Sequence, residues 1–145
     1  MRVQNSVICL AAALLLAVPA TAQDAGAAGG RLGIELNKME PVEGGGCRAY
    51  FLFRNGTGLS FEGLDLSLAI LDSQGVIDQL LAIDAAPLPV QRTTLKLFDI
   101  PGIACPDIST VLLHDITSCR PQNAEETDCF AVLDLGSKAA ADLVK

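Results

Sequence analysis

From residue 32 onward, short apolar segments alternate with turn-forming residues, and no stretch keeps the apolar repeat of a long helix. The clearest segment is Cys47–Arg54, where Ala49, Phe51 and Phe53 alternate with Arg48, Tyr50 and Arg54. A period of two sends the two sets to opposite faces of a strand. Asn55-Gly56-Thr57-Gly58 then signals a turn. Leu64–Leu71 repeats the pattern, with Leu64, Leu66, Leu68 and Ile70 inward and Asp65 and Ser67 outward, before the turn Asp72-Ser73-Gln74-Gly75. Further strands are expected at Leu32–Met39, Val76–Ile83, Thr93–Ile100, Ile108–Thr117 and Cys129–Leu135, although Asp78–Leu81 would also suit a helix in isolation. Prolines make 84–91 and 101–106 loops. These seven strands predict an all-β fold, an immunoglobulin-like β-sandwich. The chain has no tryptophan, so the core pin of an antibody-type domain is missing and Leu, Phe and Ile must fill the core.

The N-terminus constrains where such a domain folds. Arg2 precedes an apolar run from Val7 to Val18, and Ala20 and Ala22 form a small-x-small cleavage site. That is the pattern of a secretory signal cut after Ala22. The run is shorter than the ~20 residues needed to cross a bilayer. Cys9 lies within it and Arg2 stands alone, so neither lipoprotein processing nor a twin-arginine signal fits. The expected organisation is a signal over 1–22, a flexible leader rich in Ala and Gly over 23–31, the sandwich over 32–137 and a C-terminal tail over 138–145. Loss of the 22-residue signal leaves 123 residues with nine Lys and Arg against 17 Asp and Glu, a net charge of −8. So acidic a chain is repelled by nucleic acid and by anionic lipid. A periplasmic or secreted protein without membrane insertion is expected, with a protein partner whose identity the sequence does not give and for which a basic character would suit the charge.

Signal removal also leaves Cys47, Cys105, Cys119 and Cys129, an even set that predicts two disulfides in an oxidising compartment. No pair has the short spacing of a structural zinc site, and no Cys-x-x-Cys redox motif occurs. In a seven-strand sandwich, the connections after the first and fifth strands lie at one end, and that after the sixth lies at the other. Cys47 opens the second strand and Cys105 sits between the fifth and sixth, which favours Cys47–Cys105. Cys119 closes the sixth strand and Cys129 opens the seventh, which favours Cys119–Cys129 across a hairpin.

Phe51-x-Phe53-x-Asn55-x-Thr57, followed by Leu66-x-Leu68-Ala69-Ile70-Leu71-Asp72-Ser73-Gln74-Gly75-Val76-Ile77, resembles the FxLYD-type family of small extracytoplasmic sandwich domains. Leu71 stands where that family has an aromatic residue. The chain is also similar in kind to uncharacterised small secreted proteins of Gram-negative bacteria. Both resemblances imply a binding or accessory module and assign no catalytic residue.

The side chains agree with a non-enzyme. His114 is the sole histidine, and Asp115, as its strand neighbour, is expected on the opposite face. No nucleophile elbow or phosphate loop is present, and Gly44-Gly45-Gly46 precedes a strand rather than a helix. No cofactor or metal site is expected, since the histidine count and oxidised cysteines leave too few ligands. Paired carboxylates such as Asp65 and Asp72 read as solvated surface. Asn55-Gly56-Thr57 matches a glycosylation acceptor but reads as a turn. The most distinctive segment is the acidic loop 120–128, closed by cysteines, in which Arg120, Gln122, Asn123, Glu125, Glu126 and Asp128 are the candidate binding residues. Closure spares a loop part of the entropy it would lose on binding. These features predict a cell-envelope binding or accessory module, or else a periplasmic inhibitor of a basic enzyme such as a lysozyme or protease.

Overall fold

The computed structural model describes residues 30–145; the expected export signal over 1–22 and nearly all of the expected leader lie outside the described residues. Eight strands are present: β1 (Leu32–Pro41), β2 (Cys47–Asn55), β3 (Phe61–Asp72), β4 (Ile77–Asp84), β5 (Arg92–Ile100), β6 (Ile108–Pro121), β7 (Leu133–Ser137) and β8 (Asp142–Val144). They form two four-stranded sheets, β5-β2-β1-β7 and β4-β3-β6-β8. The expected all-β sandwich is therefore present, and both disulfides, Cys47–Cys105 and Cys119–Cys129, are formed.

The alternation read in the sequence builds the core. Ala49, Phe51 and Phe53 from β2 meet Leu64, Leu66, Leu68 and Ile70 from β3, all buried. Each large side chain so buried contributes about 1.5–3 kcal/mol. The staples sit at opposite poles. Cys105, in a 3-10 turn over Cys105–Asp107, ties the entry of β6 to β2. Cys119, near the other end of β6, bonds Cys129 just ahead of β7. Strand β6 is thus held to the opposite sheet at both ends.

Two arrangements differ from the expected chain path. First, β6 and β7 do not make a hairpin. The 3-10 turn Phe130–Val132 carries the chain to the other sheet, where β7 runs parallel to β1, with Leu32 opposite Leu133. This seats Leu133 in the core and covers what would be an open edge of β1. Second, Asp142–Val144, in the segment read as a tail, pairs in parallel with β6 and buries Leu143.

Strand β6 also carries more residues than its partner. Its register with β3 shifts four times; Ser109, His114 and Thr117 are surplus residues opposite β3. Such β-bulges re-aim side chains and strengthen the local twist.

Candidate functional site

Loop 122–128 is exposed throughout and hangs at the pole marked by Cys119–Cys129. Its path is set by its own bonds. The Gln122 amide donates to Ser60 O at 2.8 Å, and the Thr127 amide to Cys119 O at 3.1 Å. Asn123 takes a left-handed φ of 59°, which asparagine tolerates better than most residues. Glu126 turns back so that Oε1 accepts from the Cys119 amide at 3.2 Å, and Asp128 Oδ1 accepts from the Phe130 amide at 2.9 Å. Two of the three loop carboxylates thus hold the loop in shape, while Glu125 extends into solvent. Arg120, expected in the loop, instead belongs with Pro121 to the end of β6, paired with β3, and lies apart from the loop tip. It packs across Gly63 on the outer face of β3, where an added Cβ would come within 2.7 Å of its guanidinium. Beside the loop runs a groove of about 230 Å³ lined by Ser60, Phe61, Glu62, Pro87, Pro89 and Gln122.

His114 departs from the sequence expectation. Because β6 has a surplus residue there, His114 and Asp115 are both exposed rather than on opposite faces. Ser67 Oγ lies 2.8 Å from His114 Nε2. Among the described residues no hydrogen bond joins Asp115 to the ring, and the pair lies on an open sheet. The bulge depends on long-range pairing, so alternation within β6 could not reveal it.

Asn55 also differs from a surface turn residue. It is 2 % exposed, and its Nδ2 donates to Leu59 O, Leu88 O and Pro89 O at 2.8, 3.0 and 3.2 Å. Its Oδ1 accepts from the Thr57 amide and hydroxyl. In the folded chain the acceptor amide is closed to a glycan.

The sheet edges offer little. Strand β5 turns Lys96 inward, where Nζ donates to Ala86 O at 2.6 Å. Strand β4 has a register shift beside Asp78, and β7 and β8 have five and three residues. Inward charges, bulges and short strands all discourage edge pairing.

The two outer faces are electrically unlike. On the β1–β2–β5 side, Lys38 pairs with Glu40, Arg48 with Asp99 and Arg54 with Glu35. Hydrogen bonds from Asn37 and Arg54 hold the Glu35 carboxyl below the usual range, and Lys38 and Tyr50 do the same for Glu40. Arg48 lowers Asp99. The phenol of Tyr50 is raised because it donates to the Glu40 carboxylate. On the other sheet, Asp65 and Asp84 stand directly opposite each other on β3 and β4. Like charges in that position repel across the strands. Asp65→Asn is expected to stabilise the fold by about a few tenths of a kcal/mol. The measure is a higher urea midpoint at unchanged m-value; a lower midpoint would show that the carboxylates are already balanced.

No family model and no curated protein matches the chain. A solved structure, that of IrmA from Escherichia coli, is similar with a TM-score of 0.55 and 17% identity, covering 72% of this chain and 90% of that one. At this identity the likeness is one of fold.

Proposed function

We propose that this protein is a non-catalytic binding or accessory module of the cell envelope, working in the periplasm or outside the cell and gripping a protein partner through loop 122–128. One observation carries the reading: residues 122–128 are all exposed, yet the loop is closed by a disulfide and braced by its own hydrogen bonds. A pre-organised loop loses little entropy when it binds. The two disulfides fit folding in an oxidising compartment, as does the signal read over 1–22. No helix of the described residues is long and apolar enough to cross a membrane.

A photo-crosslinking residue at Ala124 tests this in the living cell. The expected result is one dominant adduct that disappears when Glu125, Glu126 and Asp128 are replaced by Ser. No adduct, or one indifferent to those replacements, would sink the loop as the contact.

The acidic balance of the chain supports a second reading, inhibition of a basic enzyme such as a lysozyme or protease. The purified protein should then slow a lysozyme or trypsin in a turnover assay, and the triple Ser variant should not. Undiminished turnover of both enzymes with the wild-type protein would reject it.

A further inference from the structure

We propose that the outer face of the β4-β3-β6-β8 sheet is a second docking surface, for a protein that presents an apolar centre inside a basic rim. The pairing of the strands aligns apolar side chains across the whole sheet. Ala69 on β3 stands opposite Leu80 on β4 and Leu112 on β6, and Leu112 stands opposite Val144 on β8. One row away, Leu71 faces Ile77. Leu80, Ile77 and Val144 are 64%, 58% and 40% exposed. Ala69 points away from the core and is still only 2% exposed, because its neighbours close over it. Beyond closing over Ala69, the strip is covered by no other element of the described fold, and exposed apolar strips of this kind mark contact surfaces.

The charges around the strip say what would cover it. Asp65, Asp78, Asp84, Asp115 and Asp142 are all exposed on these four strands, and none takes part in an ion pair among the described residues. The ion pairs that do form join residues of β1, β2 and β5. Arg120, over Gly63, is the cation that packs on this face. A second copy would bring an equal set of aspartates against these, whereas a basic rim would neutralise them. The opposed Asp65 and Asp84 fit the same logic, since a partner's cation would relieve a repulsion that the free chain must bear. The register shift on β4 and the three-residue length of β8, the two edges of this sheet, make contact through the face, not strand addition, the available mode. This surface is separate from loop 122–128 and stands whether or not the loop binds.

Amide chemical-shift mapping of the isotope-labelled chain 23–145 provides the test. The probes are a short peptide of alternating leucine and lysine and its leucine–glutamate counterpart. The lysine peptide should shift amides of β3, β4, β6 and β8, and the glutamate peptide should not. Binding should weaken as salt is raised. It should fall about tenfold when Asp65, Asp115 and Asp142 together become Asn, as expected from the loss of several exposed ion pairs. Leu80→Ser, at an exposed position that leaves the core intact, should weaken it separately. Shifts confined to β1, β2 and β5 or to 122–128, equal shifts with both peptides, or no shifts would overturn the proposal. Dilution-dependent shifts of the same amides without peptide would also overturn it, since a second copy would then be the occupant.

Discussion

Replacing Asn55 by Ala is expected to cost about 2–4 kcal/mol of folding stability, because the Pro89 carbonyl and the Thr57 amide lose their partner and a buried group so left costs about 1–3 kcal/mol. The Asn55 amide serves the carbonyls of Leu59, Leu88 and Pro89, and its oxygen anchors Thr57. One side chain therefore ties the end of β2 to the loop that leads into β5. Backbones crowd together here. An added Cβ on Gly56 would meet Arg31 O at 3.0 Å, and one on Gly30 would meet Gly56 O at 1.6 Å, so the site cannot simply collapse. Asn55→Asp should be worse than Ala at neutral pH, because a carboxylate would face three carbonyl oxygens in place of an amide donor. Burial and those carbonyls would raise the folded pKa of the new acid above its unfolded value. The charged form is then the disfavoured one, so the added penalty is present at neutral pH and shrinks as pH falls through the folded value. Urea midpoints of wild type, Asn55→Ala and Asn55→Asp across acid and neutral pH check both claims. An Ala variant within 1 kcal/mol of wild type, on the order of one ordinary exposed hydrogen bond, would show that water replaces the amide. An Asp variant whose deficit does not shrink in acid would contradict the assignment of the three carbonyls as its neighbours.

This residue also shows what could be read from the chain and what could not. Alternation in β2 and β3 is a local property, so Phe51, Phe53, Leu66 and Leu68 declared their faces in advance. The cysteine pairing was legible for a similar reason, because the positions of cysteines between strands say which pole each occupies. Asn55 looked like a turn residue since nothing local distinguishes a solvated asparagine from one that satisfies a loop 33 residues away. The same holds for the bulge at His114 and for β7 crossing to β1, both decided by which strands meet. In the candidate loop, the run of carboxylates was plain, but that Glu126 and Asp128 are spent on backbone amides was not. The apolar strip on the second sheet was hidden as well. Leu80, Leu112 and Val144 come from three separate strands, and their alignment exists only in the register.

Removing the Cys47–Cys105 bond should cost more than removing Cys119–Cys129, even though both tie β6 to the opposite sheet. The first closes a separation of 58 residues and the second one of 10. In the chain-entropy account those loops correspond to about 4 and somewhat under 3 kcal/mol. Cys47 is wholly buried and opens β2, so its release also loosens the pole where β1, β2 and β5 converge. The Cys119–Cys129 pair instead governs the loop. Without it, Glu126 and Asp128 still hold their amide bonds, but the entropy of an open segment must be lost on binding. Paired Cys→Ala variants should therefore separate stability from recognition. The Cys47/Cys105 variant should show the larger drop in urea midpoint, while the Cys119/Cys129 variant should stay folded and lose crosslinking at Ala124. The reverse order of stabilities would mean that native-state packing around Cys119 and Cys129, rather than the restriction of the unfolded chain, dominates. A Cys119/Cys129 variant that crosslinks as well as wild type would remove closure of the loop from the account of binding.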